Sequence, residues 1–289
     1  MVTVPVDAIV DAATTVFVLS TMLAMGLELA PAQLVNALRR RRLLAKSLLV
    51  NLVLVPLVAY AIVRLIPMST GHAVGILLIA MAPGAPFGPK IAEISESDIA
   101  FASGLMAVLG ILSVVSVPVT AALLIPGDVT ADPLGIAQLV VAVQLVPLVA
   151  GLAIDVRYRA VSDRLYPPIQ RLSDYSFAFL LVLLVVVYAD DMLRLVGTGT
   201  LLASSLIVVA ALLAGYVLGG PTRTTREVLA TTTAARNAAL ALFIATTSFS
   251  DPTVLTMVLA FSFIGVFVPV AVAGAWRRRP RSDGRLVET

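Results

Sequence analysis

Apolar stretches long enough to cross a bilayer recur along the chain, separated by short polar connections. Nine can be placed: Val6–Leu29, Leu43–Ile66, His72–Ile94, Ile99–Ile125, Pro133–Ile154, Leu165–Ala189, Thr200–Leu218, Glu227–Thr247 and Val254–Trp276. A bilayer core needs about 20 apolar residues per helix. The runs are continuous rather than alternating, so the strands of a membrane β-barrel do not fit. The pattern predicts an all-α integral membrane protein of nine transmembrane helices, forming one transmembrane domain over residues 1–289.

Two spans depart from the pattern. The third contains "APGAPFGP" (82–89), where Pro83, Pro86 and Pro89 fall close together. Proline removes a backbone donor and clashes with the preceding turn, and it pushes the residue before it out of the helical region. This span should therefore open. The eighth has no proline but carries the small, polar run Thr231–Asn237 with Arg236 near its centre. Unpaired backbone at membrane depth survives only where protein or a wet cavity satisfies it. Each unusual span is followed by one more. The chain then reads as an inverted repeat with two broken, crossing helices: a first unit about 1–126 that lacks its opening helix, and a second about 132–277. That plan places a site near the midplane.

Composition agrees with a membrane protein: 60% of residues are hydrophobic and 13% charged, against about 25% charged in soluble domains. The net charge of +3 lies in short loops, which points to membrane orientation rather than a nucleic-acid partner. Basic clusters follow the first span (Arg39–Lys46), the fifth (Arg157, Arg159, Arg164, Arg171), the seventh (Arg223, Arg226) and the ninth, while the opposite loops are neutral or acidic apart from Arg64 and Arg194 near span ends. The N-terminus is expected outside and the C-terminus in the cytoplasm, with 278–289 a short tail. The first segment carries Asp7 and Asp11 and no basic flank, so it is expected to be a span, not a cleavable signal.

No cysteine is present, which excludes disulfides and zinc–thiolate sites. The single histidine, His72, is expected to be structural. No nucleotide-binding glycine motif, metal-ligand spacing or nucleophile–base pair occurs, so neither an enzyme nor a cofactor is expected. Lys90 and Arg236 are the basic residues expected inside the membrane, where such groups face a bundle interior or aqueous cavity. Both are expected to point into a shared site, binding an anionic substrate or replacing a bound cation. Lys90 is the better proton-coupling candidate, because a buried lysine can lose its proton and an arginine cannot. Asn237, Thr231, Thr232, Thr233 and Asn51 are polar partners, although a buried threonine is often a hydroxyl bonded back to its own helix. Glu28 is expected to be solvated at a span end. Glu93, Glu96 and Asp98 form an acidic turn, from which Glu93 could neutralise Lys90 one turn away.

These segments resemble the bile acid:sodium symporter family. "LAMGLELAPAQL", "LLVNLVLVPLVAY", "APGAPFGPKIAEISESDIAFASGLM" and "TTTAARNAALAL" carry the likeness over nearly the whole chain. The family implies ten spans, or nine when the first is missing, arranged as core and panel bundles. The resemblance sets Gly88 and Pro89 where sodium-coupled members have Ser-Asn, Thr232 on their sodium-binding glutamate and Arg236 on their glutamine. Hydroxyl ligands fall on Ala102 and Met106. Asn237 matches the family's asparagine, and Asn51 replaces a glutamine. The implied function is alternating-access transport of an organic anion, bile-acid-like or a small carboxylate, across the cytoplasmic (inner) membrane. Arg236, Asn237, Lys90, Thr233, Pro86 and Phe87 would bind substrate. Lys90, Arg236, Thr232, Asn51, Gly88 and Pro89 would be the ion-site equivalents, with the two cations replacing sodium. The partners implied are that anion, the lipid bilayer, and sodium or a proton as coupling ion. The alternatives are a sodium:organic anion symporter with altered ion sites, and a membrane receptor on a transporter fold.

Overall fold

The computed structural model describes residues 6–125 and 132–279; the tip of the loop after the fourth predicted span and most of the expected tail lie outside them. Thirteen helices follow in order: α1 (Val6–Glu28), α2 (Pro31–Arg39), α3 (Arg41–Leu65), α4 (Thr70–Met81), α5 (Gly88–Ile94), α6 (Ile99–Leu124), α7 (Leu134–Arg157), α8 (Arg159–Val187), α9 (Ala189–Arg194), α10 (Thr200–Leu218), α11 (Arg223–Ala234), α12 (Ala238–Ser248) and α13 (Pro252–Arg277). Among the described residues, eight helical stretches are long and apolar enough to cross a membrane, α11 and α12 counting together. The third predicted span is instead two pieces, α4 and α5. The short helices α2 and α9 fall in predicted connections.

The first break is closed by turn bonds, Ala82 N–H to Ile79 O at 3.2 Å and Gly88 N–H to Ala85 O at 2.9 Å. It needs Gly84, whose φ of +82° suits a residue without Cβ. The second break covers Ala235–Asn237. Asn237 supplies the cap that starts α12, its Oδ1 accepting from Leu240 N–H at 3.1 Å. The two breaks meet: Asn237 N–H donates to Ala82 O at 2.9 Å. A backbone donor freed by one interruption thus satisfies an acceptor freed by the other.

Two further irregularities occur inside helices. Leu49–Leu54 in α3 and Val141–Leu145 in α7 are π-helical. Each holds a fully buried amide, Asn51 and Gln144, and each is followed by Val-Pro.

The helices form two bodies. Helices α1, α7 and α8 pack together as a three-helix layer, and α3 to α6 with α10 to α13 form a larger bundle. Within the layer, α1 and α7 touch backbone to backbone, since a Cβ on Gly26 would overlap Leu148 O and one on Gly151 would overlap Leu23 O. Ser162 Oγ donates to Leu27 O at 2.9 Å, and Thr21 and Ser173 share a hydroxyl hydrogen bond of 2.6 Å. Residues 227–245, the greater part of α11–α12, are buried without interruption.

Candidate functional site

The site grows out of the proline in α3. In the π turn before it, Val55 N–H reaches back five residues to Val50 O. The next bond in that register would run from residue 56 to Asn51 O, but Pro56 has no N–H to give. Asn51 O is therefore free, and it points at the second break.

Arg236 takes it. Its side chain is 3% exposed. Nη2 donates to Asn51 O at 3.0 Å and to Ala80 O at 2.5 Å, and Nη1 donates to Asn51 Oδ1 at 2.9 Å. Ala80 lies in the last turn of α4, so the guanidinium also caps the negative end of that half-helix dipole. No carboxylate among the described residues pairs with it, and its Nε has no hydrogen-bond partner. A charge at the bilayer centre costs about 2.5–3.5 kcal/mol on insertion scales. Hydrogen bonds to a charged group contribute about 1.5–3 kcal/mol each, so three suffice to hold it without a counter-ion.

The neighbouring polar residues divide. Asn51 Nδ2 donates to Thr233 Oγ1 at 3.1 Å and to Ser47 O at 3.0 Å. Thr231 and Thr232 bond back to their own helix, at Glu227 O (2.8 Å) and Val228 O (2.6 Å). Asn237 Nδ2 donates to Gln144 Oε1 at 3.2 Å. Gln144 is absent from the sequence-predicted site. The signal that could have found it is an amide just before Val-Pro, which α7 shares with α3.

A cavity of about 710 Å³ lies between the three-helix layer and the bundle. Phe17, Phe177, Leu180, Leu242 and Phe263 are among its apolar walls, and Ala238 and Ala239 bring the first turn of α12 to it. Glu28, Lys90, Glu93, Tyr166 and Asp174 line it toward the end that carries the basic clusters. Of the predicted site residues, Pro86, Phe87, Pro89 and Lys90 line this cavity, whereas Arg236, Asn237, Thr232, Thr233, Asn51 and Gly88 lie behind it.

The expectation of two cations in one buried site is corrected here. Lys90 Nζ bonds Glu93 Oε2 at 2.6 Å, and their side chains are 71% and 58% exposed. Lys90 lies on the side of α5 opposite the buried Gly88, Ile91 and Ala92, and its next-turn partner holds the charge at the cavity mouth. The pairing with Glu93 is the one anticipated from spacing. The other acids of that turn are also engaged: Asp98 caps α6 at Phe101 N–H (2.9 Å) and pairs with Arg40 (2.6 Å), and Glu96 pairs with Arg277 (3.2 Å).

The profile of the sodium bile acid symporter family matches residues 15–197. The chain belongs to that family. It is 24% identical to the probable sodium/metabolite cotransporter BASS1, chloroplastic, of Arabidopsis thaliana over 262 residues, 89% of this chain and 65% of that protein. The probable sodium/metabolite cotransporter BASS3, chloroplastic, of Oryza sativa subsp. japonica is 28% identical over 146 residues, 50% of this chain and 34% of that protein. The chain thus spans less than two thirds of the length of either relative.

In this member of the sodium bile acid symporter family, three positions that the resemblance aligns with sodium ligands lie side by side. A Cβ on Gly88 would lie 3.0 Å from Met106 Sδ and 3.1 Å from Thr232 Cγ2. Residues 88, 106 and 232 therefore face one another, but through a thioether and a methyl group, while the Thr232 hydroxyl is bonded to Val228 O. A hard cation is held by several oxygens, not by such groups. Around Asn51 the oxygens are present, and the Arg236 guanidinium holds them.

Proposed function

We propose that this protein is a secondary transporter that carries an organic anion, bile-acid-like or a small carboxylate, across the cytoplasmic membrane by alternating access. Sodium is not bound at the positions that the family resemblance assigns to it, because Arg236 supplies a permanent positive charge there. The observation that carries this reading is the buried guanidinium bonded to Asn51 O, Asn51 Oδ1 and Ala80 O. These are the kinds of oxygen that would otherwise surround a cation, and they lie where two interrupted helices meet.

The substrate's negative end sits at the first turn of α12, beside Ala238 and Ala239, where the half-helix dipole and the charge of Arg236 one turn behind both favour an anion. Asn237 and Thr233 position Arg236 and the break, and Pro86, Phe87 and the aromatic walls take the apolar body. Lys90 stands at the mouth, where it offsets the negative charge that Glu28, Glu93 and Asp174 present to an entering anion. The burial that would let it give up its proton is missing, so the coupling assigned to it from sequence is not retained. The remaining organisation follows the sequence reading: two inverted units, N-terminus outside and C-terminus in the cytoplasm. With that orientation, the cavity mouth at Lys90 and Glu93 faces the cytoplasm.

Uptake by proteoliposomes of a panel of carboxylates, with sodium and pH gradients imposed separately, tests the proposal. Uptake indifferent to sodium and lost in Arg236→Ala is expected. Sodium-driven uptake that is abolished by changing Thr232 or Asn51 and indifferent to Arg236 would overturn it in favour of a symporter with altered ion sites.

A further inference from the structure

Gln144 joins the two bodies of the protein at one buried point. It belongs to the three-helix layer through α7, and its side chain is fully buried. Its Nε2 donates to Gly110 O at 2.8 Å and to Ser113 Oγ at 2.5 Å, both on α6 of the bundle. Its Oε1 accepts from Asn237 Nδ2 at 3.2 Å, at the second break. Asn237 in turn holds the first break through Ala82 O. One side chain of the layer is therefore tied to α6 directly and to both helix interruptions within two steps.

The layer cannot yield piecemeal at this point. The backbone contact at Gly26 and Gly151 joins α1 to α7, and the hydroxyl bonds of Ser162 and Thr21 join α1 to α8. Displacement of α7 relative to the bundle by even part of a helical turn, about 5.4 Å in full, breaks all three bonds of Gln144 together. The amide is fully buried, and a buried amide without partners is costly. Such an all-or-none polar contact between packed apolar bodies favours two discrete arrangements over continuous sliding.

We propose that Gln144 is a positioning residue that pins the α1–α7–α8 layer to the crossing of the broken helices and holds the conformation in which the cavity opens toward the basic-cluster end. It touches neither the cavity nor the substrate. This inference rests on alternating access in the reading above, but not on the identity of the substrate or of any coupling ion.

The absence of cysteine makes a single introduced thiol a clean reporter. Ser262→Cys places one in the cavity wall, and a membrane-impermeant maleimide applied to right-side-out and inside-out vesicles reads which face reaches it. Labelling from the basic-cluster face is expected to dominate with native Gln144. Gln144→Leu should shift the ratio of the two faces toward the opposite side by about tenfold, the population change that loss of ordinary buried hydrogen bonds produces. Ser113→Ala, which removes one partner and keeps α7 intact, should shift it in the same direction by a smaller factor. An amide that merely stabilises the fold would lower the thermal unfolding temperature and leave the ratio unchanged, and that result in folded Gln144→Leu overturns the proposal. If Gln144→Leu does not fold, an unchanged ratio in Ser113→Ala overturns it. A shifted ratio in protein that transports none of the carboxylates keeps the pin and removes the organic-anion reading. An unchanged ratio with carboxylate uptake intact does the reverse.

Discussion

Arg236 Nη2 donates to the backbone oxygen of Asn51 at 3.0 Å, and that oxygen is free because Pro56 has no N–H to offer it. A proline in one helix thus prepares the acceptor for an arginine in another, across 185 residues of chain. The pairing converts a helix defect into a place for a positive charge.

Reinstating the residues that the family resemblance implies should return sodium dependence. Arg236→Gln with Thr232→Glu removes the guanidinium and adds a carboxylate where residues 88, 106 and 232 meet. Sodium-stimulated uptake in this double variant, absent in the native protein, is the expected outcome in proteoliposomes. Thr232→Glu alone should stay sodium-independent, because the new carboxylate pairs with Arg236 instead.

Restoring the missing donor should weaken the site from the other side. Pro56→Ala supplies an N–H that competes for Asn51 O, setting one hydrogen bond of Arg236, worth about 1.5–3 kcal/mol, against a regular helix bond. Uptake should fall several-fold while helical content by circular dichroism is kept or slightly raised.

Lys90→Met should leave the thermal unfolding midpoint in detergent unchanged, because an exposed pair with Glu93 is screened by water and salt. Its effect belongs to substrate entry: KM should rise at low ionic strength, and the difference from native protein should shrink as salt is added. A collapse of uptake at every salt concentration would place Lys90 in the machinery after all.

Gly84→Ala tests the first break. A non-glycine residue at φ +82° costs on the order of 1–3 kcal/mol, and the added Cβ would sit 3.1 Å from Leu109 Cβ. Thermal unfolding should move down by the equivalent of that strain, with uptake reduced more than stability alone explains because the break also presents Pro86 and Phe87 to the cavity.

The spans were legible because the bilayer demands the same thing of every one of them, namely an apolar run of fixed length with its backbone bonded internally. Thr200–Leu218 is a helix over the range its hydropathy marks, and α6 and α13 differ from expectation by a few residues at most. The proline-rich break was legible for a local reason, since three missing donors cannot be hidden. The break at Ala235–Asn237 holds no proline. Asn237 starts the next helix locally by capping it at Leu240 N–H, while Asn237 N–H to Ala82 O and Arg236 to Ala80 O hold the break open through contact between distant segments.

Charge shows the same division. The sequence by itself determined that Arg236 and Lys90 stand beside helix interruptions, because neighbours in the chain stay neighbours in space. Only the tertiary structure decided that one is buried among carbonyls and the other exposed beside Glu93, since burial depends on what packs over a residue rather than on what precedes it. Gln144 is the extreme case. Its own segment reads as another apolar span, and its role comes entirely from Gly110, Ser113 and Asn237, which the fold brings to it from two other helices.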